Sequence, residues 1–323
     1  MKKLKIKKNV KKIFFILVVL GIFLSMGIYS TIKIYKQKQY EKTYEYKLLQ
    51  IGYTEEETDI IIEKYKNKEI DYILTTDLNK NYIEILNDKF FIYDFFYEYL
   101  AYLQNNLDKP IRSVIEIINT NRDNEYYTNT EKTDISKKEL MLVNKYYSLD
   151  KEYEPDNLVT ISTTYSWGTY GSQKVTEETF DAYMDMWKDA NEAGFYLMVS
   201  SSYRTYDRQE AVYNDYKKSR GTEFADSIAA RPGFSEHQSG YTLDIFEKSS
   251  SNQQTFYTSE AYLWLKDNAH KYGFILRYPE DKENITGYSF ESWHYRYVGI
   301  DVANYIYENN ITYDEYYAYF INN

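Results

Sequence analysis

The chain of 323 residues contains no cysteine and only three histidines, His237, His270 and His294. The first stands in "SEHQSGYTLD" (235–244) and the last in "ESWH" (291–294). Metal-assisted hydrolysis on zinc requires three protein ligands and one open position, and imidazole with carboxylate can supply them where cysteine cannot. His237 and Asp244 are seven residues apart, so on one straight strand they would face opposite sides. Bringing both to one ion requires a turn, and Gly240 is placed to permit it. The third ligand must come from elsewhere. His294 offers an imidazole, and Glu291, three positions before it, offers a carboxylate that could sit beside a metal without binding it. His270 reads differently: it falls near the C-terminal end of a helix, where a donor or cation satisfies the last carbonyls.

The elements around these residues alternate. "TEETFDAYMDMWKDANEAG" (176–194) is an amphipathic helix with Thr176 as its cap, Phe180, Tyr183, Met184 and Trp187 on one face, and Gly194 at its end. "FYLMVSSSYR" reads as a buried strand, "DRQEAVYNDYKKSRG" as a helix closed by Gly221, and "YTLDIF" as an alternating strand. A helix in "SEAYLWLKDNAHKYGF", ended by Gly273, and a closing strand in "GYSFESWHYRYVG" follow. Upstream, "SVIEIINTN" and "LMLVNKYYSL" are β-branched or apolar runs that predict strands. The expected fold is α+β, a mainly antiparallel sheet flanked by helices.

The N-terminal third differs. Residues 1–12 hold seven lysines and no acid, and 13–32, "IFFILVVLGIFLSMGIYSTI", carry no charge. Twenty helical residues match a hydrocarbon core of about 30 Å, and the lysines place the N-terminal side in the cytoplasm. The apolar run is longer than a signal-peptide core, and no small-x-small cleavage site follows it. The expectation is an uncleaved single-pass anchor at 13–32, a cytoplasmic tail at 1–12 and an extracellular body. Residues 33–110 read as a helical juxtamembrane region, with Thr54 capping "YTEEETDIIIEKYKNKEI" and a second amphipathic helix starting near Asn87. The remainder, 111–323 with a core at 174–300, is the chemistry-bearing domain. Without the basic tail, 32 basic and 49 acidic residues remain, a net charge of −17. A body this acidic is a poor fit to a phosphate backbone, so nucleic acid is excluded as a partner. The 40 tyrosines run from end to end as a background habit.

"SEHQSGYTLD" resembles the SxHxxGxAxD motif of the LAS metallopeptidases, and "ESWH" resembles their ExxH motif. With "SSYRTYDRQ", "NAHKYGFILRYP" and "ITGYSFESWHYRYVG", the chain is similar to the VanY-type peptidoglycan carboxypeptidases, most clearly over 200–299. The resemblance implies that His237, Asp244 and His294 hold one zinc ion. Glu291 would be the general base that takes the proton of the attacking water and returns it to the leaving amine. Arg204 would stabilise the developing oxyanion or hold the substrate carboxylate, and Gln209, Ser235, Tyr203 and Trp293 would contact the peptide. Three positions depart from the pattern. Thr242 stands where alanine is usual, Phe234 where histidine is frequent, and Ser292 where proline is frequent; the first puts substrate preference in question.

The implied function is a membrane-anchored D-alanyl-D-alanine carboxypeptidase acting on peptidoglycan stem peptides. An L,D-carboxypeptidase acting on tetrapeptide stems shares the same motifs, and endopeptidase cleavage would need an open groove. A non-catalytic wall-binding module of the same fold would have no use for Glu291, and a structural membrane protein would make every matching position an accident.

Overall fold

The computed structural model describes residues 2–167, 171–249 and 253–322. The chain divides into two compact units, 1–91 and 92–323. The first unit opens with the long helix α1 (Lys2–Ile51). Within α1, Ile13–Lys36 is the one stretch among the described residues that is long and apolar enough to cross a membrane. Thr54 then starts α2 (Glu55–Lys64) through a full capping box. Its Oγ1 accepts from the Glu57 N–H at 3.2 Å, and the Glu57 carboxylate accepts from its own N–H at 2.8 Å. The helical run expected over 53–70 breaks at Tyr65, whose backbone turns extended and whose ring is buried with its hydroxyl donating to the Tyr82 carbonyl. Helices α3 (Asn67–Ile73) and α4 (Asn81–Asn87) complete the unit.

Asn87 therefore ends a helix rather than starting one. Asp88 follows it and accepts from the Phe90 N–H at 2.8 Å, a local side-chain bond that competes with helix continuation. The expected helix begins at Phe96, as α5 (Phe96–Asn105) of the second unit. "SVIEIINTN" is also not a strand: it lies in α6 (Ile111–Asn119), behind Pro110 at the N-cap. Ile111, Val114, Ile115 and Ile118 are all buried, and their spacing is helical, which outweighs the strand preference of β-branched residues. "LMLVNKYYSL" is mostly irregular. Only β2 (Tyr147–Ser148) pairs, parallel to β1 (Glu131–Lys132). Met141, Leu142 and Val143 are buried as coil, with side chains serving their carbonyls: Thr133 Oγ1 donates to Leu142 O and Arg296 Nη2 to Met141 O, both at 2.9 Å.

A short antiparallel pair, β3 (Leu158–Thr160) and β4 (Lys174–Thr176), leads into α7 (Glu177–Glu192). Then come β5 (Leu197–Ser201), α8 (Tyr206–Arg220), α9 (Thr222–Ile228), β6 (Thr242–Glu247), α10 (Gln253–Phe256) and α11 (Glu260–Asn268). The unit closes with β7 (Phe274–Leu276), α12 (Glu283–Thr286), β8 (His294–Tyr297), α13 (Ile300–Asn309) and α14 (Tyr313–Tyr316). Strands β5 to β8 form one antiparallel sheet in the order β5-β6-β8-β7, the α+β plan expected. Its core joins Leu243, Ile245 and Tyr295 to Tyr183, Met186 and Ala190 of α7 and to Ala261 and Leu265 of α11. The buried face of α7 is thus centred on Met186, with Phe180, Met184 and Trp187 at its margins. Because side chains alternate along a strand, Asp244 and His294 project away from Leu243, Ile245 and Tyr295.

Candidate metal centre and active site

Strand register brings the distant candidate ligand residues together. Asp244 of β6 lies directly opposite His294 of β8, and on its other side opposite Ser201 of β5, across a register shift between Val199 and Ser201. His237 arrives from a 3-10 turn, Glu236–Ser239, and Gly240 reverses the chain into β6 with φ +79°. A Cβ at Gly240 would meet Pro155, Thr176 and Leu158 at 3.0–3.2 Å, so this turn requires glycine by both conformation and space.

The ligand atoms of His237, Asp244 and His294 lie within 4.8 Å of one another, and all three residues are buried. His237 Nε2 is 3.5 Å from Asp244 Oδ2, and His294 Nδ1 is 3.5 Å from Asp244 Oδ1. Two ligands bound at about 2.0–2.1 Å in a tetrahedron stand about 3.4 Å apart, so these separations suit one zinc-sized ion. Asp244 Oδ1 is buried without a hydrogen-bond partner, the condition of an oxygen whose partner is a cation. His237 Nδ1 donates to the Ser202 carbonyl at 2.8 Å, leaving Nε2 as the free lone pair. Without an ion, burial pulls the pKa of His237 down, with Asp244 opposing it. For His294, burial also lowers the pKa, but the carboxylates of Asp244, Glu236 and Glu291 outweigh it and hold the imidazole well above its usual value.

Glu291 places Oε2 3.3 Å from His294 Nδ1, and its N–H donates to the Tyr278 carbonyl. Burial raises its carboxyl pKa, with the His294 contact opposing it. Arg204 follows β5, with its N–H bonded to the His237 carbonyl. Its guanidinium donates to Gln209 Oε1 at 2.8 Å and Ser201 Oγ at 2.7 Å, and burial lowers its pKa. Those bonds use two of its five donors. Both ends of the Gln209 amide are occupied, since Nε2 donates to the Ala230 carbonyl at 2.7 Å. Its geometry is that of a clamp on Arg204.

A cavity of about 250 Å³ opens on these groups, with Arg204, Gln209, Ser235, Glu291 and Trp293 in its walls. Trp293 stacks on Phe246 at 6.2 Å. A second cavity of about 590 Å³ meets it at Arg204, Val212, Tyr216 and Asp244, and it is this one that Tyr203 lines. Thr242 lines neither cavity. It is fully buried in β6, and its hydroxyl has no partner. Because a buried hydroxyl without a hydrogen bond costs about 1–3 kcal/mol, Thr242→Val should raise stability by about 1 kcal/mol, read as a higher denaturant midpoint, with the cavities unaltered. Phe234 packs edge-on against Tyr127 at 5.1 Å, and the Ser292 hydroxyl is buried without a partner. His270 lies outside the site, stacked on Tyr307 at 3.7 Å.

Sequence reasoning missed a second layer. Glu236, beside His237, is fully buried with Oε2 3.4 Å from His294 Nε2. Tyr278 packs its ring 4.7 Å from the His294 ring and lines the cavity. A charged residue inside a motif that must be buried was the available signal for Glu236; Tyr278 carried none.

Asp244 and His294 on neighbouring strands of an antiparallel sheet, His237 on the turn before it, a glutamate beside them and an arginine facing the cavity form the arrangement of a zinc peptidase of the LAS type. The family model described as VanY, D-alanyl-D-alanine carboxypeptidase, matches residues 172–300. A D-alanyl-D-alanine carboxypeptidase of Enterococcus faecalis (strain ATCC 700802 / V583) is 32% identical over 205 residues, 60% of this chain and 71% of that protein. The carboxypeptidase-like YodJ of Bacillus subtilis (strain 168) is 39% identical over 181 residues, 55% of this chain; the match spans 66% of YodJ. The structure of the LdcB LD-carboxypeptidase is similar at 37% identity and TM-score 0.56, covering 59% of this chain and 91% of that one. The chain belongs to the VanY family of D-alanyl-D-alanine carboxypeptidases.

Proposed function

We propose that this chain is a zinc-dependent carboxypeptidase, held to the cell membrane by the apolar helix within Ile13–Lys36, that removes the terminal D-alanine from peptidoglycan stem peptides. The observation that carries the reading is the convergence of His237, Asp244, His294, Glu291 and Arg204 on one cavity. His237 Nε2, one Asp244 oxygen and His294 Nδ1 would hold the ion. When bound, zinc polarises a carbonyl and makes water more acidic.

The chain's own residues account for the rest. Arg204, clamped by Gln209 and Ser201, turns its remaining donors toward the cavity, where a planar fork suits a carboxylate or an oxyanion. Glu291 takes a proton from the attacking water as its oxygen bonds to the scissile carbonyl carbon. It then returns that proton to the nitrogen as the C–N bond breaks, giving a free amino acid and a shortened peptide. The Glu291 N–H bond to Tyr278 fixes the loop that carries this carboxylate. Lysines ahead of the apolar helix favour a cytoplasmic N-terminus and a wall-facing catalytic unit.

A second reading, release of the terminal D-alanine from a tetrapeptide by L,D-cleavage, is favoured by the likeness to the LdcB LD-carboxypeptidase. Full-length chain in detergent, incubated with pentapeptide and tetrapeptide stems, separates the two when products are identified by mass. Loss of one D-alanine from the pentapeptide alone is the expected result. Loss from the tetrapeptide alone replaces the D,D assignment with the L,D one, and loss from neither removes both.

A further inference from the structure

His294 meets two carboxylate systems through its two nitrogens. Nδ1 faces Asp244 and Glu291, while Nε2 lies 3.4 Å from Glu236 Oε2. Glu236 Oε1 accepts from Arg277 Nε at 2.7 Å and stands 3.4 Å from Arg296 Nη1. Arg277 then grips Asp314, with Nη1 to Oδ2 at 2.6 Å and Nη2 to Oδ1 at 3.2 Å, and Asp314 Oδ1 also accepts from Asn144 Nδ2 at 2.8 Å. Glu236, Arg277, Arg296 and Asp314 are all buried. Their charges sum to zero, two guanidinium groups against two carboxylates, so loss of one member would leave an uncompensated buried charge.

We propose that Glu236 is a positioning residue that selects the metal-ligating tautomer of His294. The Arg277–Asp314 pair holds it in place, carrying support for the metal centre into the C-terminal α14. This inference rests on the zinc reading of the site. An ionised carboxylate only accepts, so Nε2 keeps its proton against Glu236, and it is Nδ1, on the side of Asp244, that would give up its proton and offer its lone pair to an ion. His237 receives the same service from a backbone carbonyl and uses the opposite nitrogen. Arg277 follows directly on β7 and donates its N–H to the His294 carbonyl at 3.1 Å, so one residue braces both the strand and the carboxylate. The relay's far end, Asp314 and Asn144, lies outside the 172–300 segment that the family model matches. Asp314 is set by the Thr312–Glu315 capping box at the start of α14. The flanking segments are thereby part of the metal site's support.

Zinc affinity of the full-length chain in detergent, measured by competition with a chromophoric chelator, tests this independently of turnover. Glu236→Gln should weaken zinc binding about 10–100-fold, as the loss of a ligand's hydrogen-bond partner does. Asp314→Asn should weaken it less. The double variant should fall short of the product of the two, because both act through one relay. Asp226→Asn, which breaks a separate pairing with Arg231, should leave zinc affinity unchanged. Glu236→Gln binding zinc within twofold of the unaltered chain would overturn the proposal while leaving the zinc reading intact; failure of the unaltered chain to bind zinc would overturn that reading itself. Should Glu236→Gln not fold, nitrogen-15 resonances of His294 in the zinc-loaded unaltered chain decide: a protonated Nε2 with metal-bound Nδ1 is expected, and a metal-bound Nε2 overturns the proposal.

Discussion

Glu291→Ala is expected to keep its zinc and lose turnover by about 10²–10⁴-fold, the range that a positioned general base contributes. Its carboxylate is 3.3 Å from His294 Nδ1, at the edge of the His237, Asp244 and His294 cluster, where it can reach a water on the proposed ion. The paired measurement is metal content and kcat on the same preparation. Retained activity would remove Glu291 as the base. Loss of zinc together with activity would make it a ligand instead.

Asp244→Ala is expected to lose the metal. Asp244 stands 3.5 Å from each histidine, and the unpartnered Oδ1 marks where the cation belongs. It is also the central strand residue, facing Ser201 on one side and His294 on the other. Its removal takes away the only anionic member of the ligand set. Zinc affinity should fall by on the order of 10³-fold or more, beyond the 10–100-fold expected for an outer residue. Asp244 also offsets the buried positive charge of Arg204 and His294, so its removal should lower the denaturant midpoint as well. Chelator competition combined with a denaturant midpoint separates the two effects.

Much of this geometry was legible because the ligand residues carry their structural context with them. Gly240 signalled the turn that lets His237 and Asp244 share one side, and the alternation in "YTLDIF" marked the strand. The misread segments share a different physics. Ile111, Val114, Ile115 and Ile118 suit a strand by residue type and a helix by spacing, and packing decided for the helix. Met141 to Val143 are apolar and buried, yet the Met141 and Leu142 carbonyls are met by side chains of Arg296 and Thr133, partners more than eight residues away that no local pattern reveals. Glu236, Arg277 and Asp314 are charged residues at full burial, a state that becomes intelligible only once each is seen beside its partner. Tyr203 lines the larger neighbouring cavity, and Gln209 lines the smaller one while bonding Arg204 and the Ala230 carbonyl, placements set by tertiary contacts that no local pattern carries.

The central claim is that one metal ion at His237, Asp244 and His294 makes this chain a carboxypeptidase. The most direct measurement strips the full-length chain of metal, adds zinc in fractions of an equivalent in the presence of a stem pentapeptide, and follows released amino acid by mass. The account predicts no release from the stripped chain and release of a single D-alanine per peptide that rises with zinc and levels off at one equivalent. Undiminished release from the stripped chain, or none after a full equivalent has bound, would contradict it.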